Sequence, residues 1–178
     1  DQCALGIPPA YVSPAAGRLA RPHDLDQIVN AFGDPRTMPQ ATWESGYIRP
    51  ARAPGSRRFV LSDGRETPAL MLHHRLVPHA EAFFTAVAQG GLWDELQPVG
   101  RAYAWDPSGK SLHAWGIAID IRPQQYAPVP KRRDYPGPEN YPPGYLLRHV
   151  QAHGWQWGLW FDHPHPGHIQ FATGVGSC

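Results

Sequence analysis

The chain lacks the marks of several broad protein classes. It has two cysteines in 178 residues, Cys3 and Cys178, and no Cys-x-x-Cys pattern, which excludes a thiolate-built metal site. No run of 18 apolar residues occurs, so no membrane span is expected, and no charged-then-apolar leader opens the chain. It starts at Asp1 rather than methionine, as a processed or excised product would. The net charge of +1 leaves no broad basic field for nucleic acid, and Arg57-Arg58 and Lys131-Arg132-Arg133 read as solvated loop charges. There is no internal repeat and no His-Glu-x-x-His helix, so a thermolysin-like site is absent as well.

What is present points to one globular unit. The length suits a single domain, residues 1–178, and 42% hydrophobic residues supply a core. The 21 prolines and 18 glycines are dispersed among Trp, Ile, Leu and Val, so they imply long ordered loops rather than a collagen-like or disordered chain. Cysteines near opposite ends of a domain whose termini often approach each other are expected to form a disulfide, which favours an envelope or extracellular setting. A monomer is expected.

Residues 1–22 are rich in Pro, Ala and Gly and should wrap the surface. A helix is predicted from Asp24 to Phe32, with Leu25, Ile28, Val29 and Phe32 on one face and Gly33 as its stop. Arg58–Ser62 and Pro68–His73 read as strands joined through Asp63-Gly64. A helix should follow over His79–Gln89, then a strand over Gln97–Trp105. Residues 117–121 alternate so that Ala118 and Asp120 share one face of a strand. Seven prolines between Pro123 and Pro143 mark a loop long enough to rim a cleft. Helical spacing resumes over Gly144–His153, and two strands, Trp155–Trp160 and His168–Ala172, close the pattern.

The chemistry is concentrated in SLHAWGIAIDI, residues 111–121, and WGLWFDHPHPGHIQF, residues 157–171. A hydrolytic zinc site needs three ligands from His, Asp, Glu or Cys, an open position and a nearby base. Seven extended residues would hold His113 and Asp120 about 23 Å apart, so a shared ion requires the chain to fold back between them. Gly116 permits that reversal. His168 opens another strand, with Gln170 on the same face. The remaining histidines, including His23, His73, His74, His79, His149 and His153, default to structural roles. Ser111 reads as a hydrogen-bonding support, since no base for a serine nucleophile is evident. Trp115, Trp155, Trp157 and Trp160 read as core or cleft wall.

The spacing Ser-x-His-x-x-Gly-x-Ala-x-Asp, formed by Ser111, His113, Gly116, Ala118 and Asp120, resembles the zinc peptidases that include D-alanyl-D-alanine carboxypeptidases and phage L-alanyl-D-glutamate endopeptidases. The resemblance extends through Trp157-Gly158 and His168-Ile-Gln-Phe171, and more weakly to Phe32-Gly33-Asp34-Pro35. It implies an α+β fold with a central antiparallel sheet, a secreted, periplasmic or phage-borne protein, a peptidoglycan peptide as substrate, and Zn²⁺ held by His113, Asp120 and His168. Family members usually carry a Glu or Asp three residues before the last zinc histidine. Here that position is His165, with Asp162 three further back. The arginine that polarises the scissile carbonyl in the family has Arg101 as its nearest counterpart.

Two bases therefore stand open. Asp162 is favoured, because a carboxylate near Zn²⁺ accepts a proton yet stays mostly ionised, whereas an imidazole beside the cation has its protonated form disfavoured. His165 occupies the family's usual slot. The related hedgehog signalling domains place a Glu six residues before the third ligand, which matches Asp162 and His168, and a variant alignment makes His165 the third ligand with Asp162 three before it. The implied activity is zinc-dependent hydrolysis of a stem-peptide amide bond; the alternative is a zinc-stapled binding module without turnover.

Overall fold

The computed structural model describes residues 19–129, 142–161 and 163–174. The fold is α+β, with four α-helices and small antiparallel sheets among these residues. Helix α1, Leu25–Phe32, starts where Asp24 accepts the Gln27 amide and stops at Gly33, whose positive φ of 83° ends the turn. Helix α3, Val77–Gln89, begins two residues before the predicted start, with Pro78 in its first turn, and buries Phe83, Phe84 and Val87. Helix α4 covers Gly144–Ala152 and buries Leu146, Leu147 and Val150. No helix of the described residues is long and apolar enough to cross a membrane.

The sheets differ from the expected pairing. Strand β2, Phe59–Val60, returns through the Asp63-Gly64 turn onto a short strand β3, Glu66–Thr67, and not onto β4, Ala69–His73. Strand β4 instead pairs antiparallel with β1, Ile48–Arg52. That strand escapes a sequence reading because Pro50 sits inside it, which is tolerated only where no ladder donor is needed, as on an edge. Helix α2, Gln40–Tyr47, escapes too: it buries only Trp43 and has no capping side chain. Strand β7, His168–Gln170, lies between β5, Ala118–Asp120, and β6, Gln156–Trp157. The predicted strand over Trp155–Trp160 therefore ends early and tightens into a 3₁₀ turn, Gly158–Trp160.

The predicted strand over Gln97–Trp105 is a connector. Val99 bridges Leu61 on one side and Ile121 on the other, and Gly100 and Arg101 bond the backbone of Asp120. The expected central sheet is thus divided, and among the described residues this segment bridges the β2–β3 hairpin to the three-stranded sheet. Pro98 explains part of the irregularity, since it offers no donor, although its carbonyl accepts the Arg122 amide.

A buried cluster of Trp43, Phe83, Phe84, Trp115, Trp155 and Phe171 packs the helices against the strands. The carbonyls at the end of α1 are taken up by core side chains: His73 Nε2 donates to Phe32 O at 2.8 Å and Trp115 Nε1 to Gly33 O at 2.8 Å. The Arg75 amide donates to His73 Nδ1 at 3.1 Å, so the ring is a neutral, fully paired imidazole. Burial pushes the His73 and His79 rings down to about 4. Both rings take up a proton near pH 6.5 when unfolded and resist it until about pH 4 when folded, so stability present above pH 6.5 is lost as the pH falls to 4. Each contributes up to about 3 kcal/mol over that window. The urea midpoint is expected to drop between pH 7 and pH 4.5, and His73→Gln to flatten the dependence; equal midpoints at the two pH values would refute the assignment.

Candidate metal centre

Asp120 ends β5 and faces His168 directly across the ladder, while Ala118 faces Gln170. On its other side the Asp120 amide donates to Arg101 O at 2.8 Å and its carbonyl accepts from Gly100 at 2.7 Å, so the residue is gripped from both edges. His113 lies in a turn over residues 111–116, and its amide donates to the Ser111 hydroxyl at 3.3 Å. Gly116 reverses the chain with φ 72°, and a Cβ there would meet the His73 amide nitrogen at 2.7 Å. Only glycine satisfies both the backbone angle and the close approach. The reversal required by the His113–Asp120 spacing is therefore made where the sequence indicates.

His113, Asp120 and His168 are 2%, 3% and 6% exposed, and one ligand atom of each lies within 4.8 Å of the others. His113 Nε2 is 3.2 Å and His168 Nδ1 is 2.8 Å from the same oxygen, Asp120 Oδ1. Ligands about 2.0–2.2 Å from one tetrahedral ion stand roughly 3.3 Å apart, so the cluster has the scale of a zinc site. The outer ring nitrogens fix the donors. His113 Nδ1 donates to Ala102 O at 2.7 Å, and His168 Nε2 donates to Gln170 Oε1 at 3.0 Å. In the neutral tautomers that result, two nitrogen lone pairs and a carboxylate oxygen face one another, an arrangement a cation would hold together.

The centre opens on a cleft of about 460 Å³ whose lining includes Asp120, Arg101, His165, Arg65, Pro123 and Pro128. The two prolines place the start of the Pro-rich loop at its rim, as its length suggests. Arg101 is 64% exposed and reaches Asp120 Oδ2 with Nε at 3.4 Å, a contact too solvated to add much stability. His165 stacks on His168 with ring centroids 5.2 Å apart, and its Nε2 lies 3.9 Å from Asp120 Oδ1. It stands beside the three-residue cluster and is not one of its members. Burial pushes its ring down to about 4. Asp162, the Trp160 side chain, Cys3 and Cys178 lie outside the described residues. Trp115, Trp155 and Trp157 are buried, as core residues would be.

Trp105 to Phe171 is the part of the chain that comparison with known proteins recognises. Residues 105–171 match the D-alanyl-D-alanine carboxypeptidase family. The match includes His113, Asp120, His165 and His168 and stops short of Arg101. It supports the zinc peptidoglycan peptidase family that the two motifs resemble, and with the buried His-Asp-His group it suggests a peptidase. No curated protein and no solved structure matches the chain.

Two supports of the centre have no role that the motifs assign. The carbonyl of Ala102 is a backbone group with no sequence signature, and Gln170 is revealed only by its place on the His168 face of β7. A third constraint is Gly158, where a Cβ would come 2.5 Å from His165 O and 3.1 Å from His168 Cβ. Gly158→Ala is therefore expected to displace the His165–His168 turn, lowering stability by about 1–3 kcal/mol, as overpacking typically does. Unchanged denaturation midpoint and metal uptake in this variant would refute the close-packing argument.

Proposed function

We propose that the chain is a zinc-dependent peptidase that hydrolyses an amide bond in the stem peptides of peptidoglycan, with His113, Asp120 and His168 as the metal ligands. The observation that carries this reading is the convergence of their buried ligand atoms within 4.8 Å beside an open cleft. A zinc ion held there supplies Lewis acidity toward the scissile carbonyl and a water-derived nucleophile at neutral pH. Arg101, with its guanidinium exposed in the cleft beside Asp120, donates to the carbonyl oxygen where negative charge develops. A base takes a proton from the attacking water and delivers it to the leaving amine. Asp162 is assigned that role because a carboxylate near a dication stays ionised and still accepts a proton. His165, in the cleft lining, is the alternative base. The protein works as a monomer outside the cytoplasm or as a phage-borne lysin, where such peptides are exposed.

Purified protein is expected to hold one zinc per chain and to lose it in the His113→Ala, His168→Ala double variant; elemental analysis showing no stoichiometric metal in the wild type would remove the basis of the reading. Digestion of muropeptides followed by mass measurement of the fragments should identify a single cleaved amide. Zinc without any turnover would instead indicate a zinc-stapled binding module. Asp162→Asn should keep zinc and lose at least about a hundredfold in turnover, in line with general-base contributions. Normal turnover in Asp162→Asn, with His165→Ala inactive and still zinc-loaded, would transfer the role to His165.

A further inference from the structure

Each histidine of the centre has its outer nitrogen held by an acceptor, but the two acceptors differ in kind. For His113 it is the backbone carbonyl of Ala102, which no substitution removes. For His168 it is the side chain of Gln170, 1% exposed, two residues along the same face of β7. The amide of Gln170 is itself oriented, since its Nε2 donates to Ala172 O at 3.3 Å, which turns Oε1 toward His168 Nε2 at 3.0 Å. Ala118 lies opposite Gln170 in the ladder, and its methyl group leaves room for the long side chain beside the ring. An acceptor at Nε2 requires a proton there, and a neutral imidazole then carries its lone pair on Nδ1, the atom 2.8 Å from Asp120 Oδ1.

We infer that Gln170 is a positioning residue that selects the Nε2–H tautomer of His168 and thereby makes Nδ1 its metal-binding atom. The inference rests on the zinc-site reading above. A partner of this kind fixes the ring's orientation and raises the basicity of the ligating nitrogen, and its loss typically weakens metal binding 10–100-fold. Because Gln is neutral, it does this without adding charge, and the three ligands contribute a single negative charge, that of Asp120.

The test compares wild type, Gln170→Leu and Gln170→Glu by zinc dissociation constant, measured by chelator competition, and by nitrogen NMR of the zinc-loaded histidines. Wild type should show His168 protonated at Nε2 and bound through Nδ1. Gln170→Leu should bind zinc 10–100-fold more weakly and lose the protected Nε2–H signal. Gln170→Glu retains an acceptor while giving up the donor to Ala172, and should recover part of that affinity together with the signal. Zinc affinity of Gln170→Leu within about threefold of wild type, or a Gln170→Glu variant as weak as Gln170→Leu, overturns the role of the amide. Wild type that takes up no zinc overturns the metal-site reading and this inference with it, whereas zinc-loaded wild type with an indifferent Gln170→Leu overturns the inference alone.

Discussion

A carboxylate 3% exposed, at the end of a strand whose neighbours are Ile119 and Ile121, has to be answered by positive charge or by donors. Removing the partners of such a group leaves an uncompensated buried charge, which typically costs 3–5 kcal/mol. At Asp120 a largely exposed guanidinium meets one oxygen, and two imidazole nitrogens converge on the other, where a cation would be held. The arrangement of the surrounding chain follows from this need. The 98–104 connector grips the Asp120 backbone and, through Ala102 O and the Ala104 amide, holds His113 as well. Strand β7 grips Asp120 from the opposite edge and carries His168.

The two sides of the centre differ in ways that suit chemistry. Behind the three candidate ligands the structure is closed: Ala118, Ile169 and Phe171 are buried, and the outer ring nitrogens meet fixed acceptors. In front, Asp120 and His165 border a cleft whose walls come from the β2–β3 hairpin and the start of the Pro-rich loop. A rigid rear with an accessible front is the arrangement of a preorganised site. Arg101 belongs to the front. Its backbone is fixed by Asp120, and its guanidinium, with Nε on Asp120 Oδ2, is largely exposed in the cleft.

The centre also depends on packing well away from it. The turn that carries His113 is held by Trp115, which bonds the end of α1 at Gly33, and by the Ala114 carbonyl, which accepts the Trp43 indole at 3.1 Å. Through these two indoles the segment Phe32-Gly33-Asp34-Pro35 and helix α2 brace the turn that carries His113. The Phe32–Pro35 segment supplies the Gly33 carbonyl that accepts the Trp115 indole.

The sequence by itself determined the reversal at Gly116 and the strand face that carries Asp120, and it singled out His113, Asp120 and His168 as candidate ligands. The residues between His113 and Asp120 include a glycine that must reverse the chain, and an alternating strand that must present Ala118 and Asp120 on one face. These are short-range constraints of sterics and pleat, and they are readable without a fold. It also showed α1, α3 and α4, where apolar spacing and stop residues agree. It did not show α2, which has one buried anchor, or β1, which contains a proline, because neither carries a periodic signal. Nor did it show which strands pair: β4 with β1, β2 with β3, and β7 between β5 and β6 are matters of long-range register. Only the tertiary structure put Ala102 O behind His113 and the Gln170 amide behind His168, and only it separated His168, which joins the cluster, from His165, which stacks beside it. Those distinctions rest on a backbone carbonyl, a side-chain rotamer and a turn held open by Gly158, none of which has a residue pattern of its own.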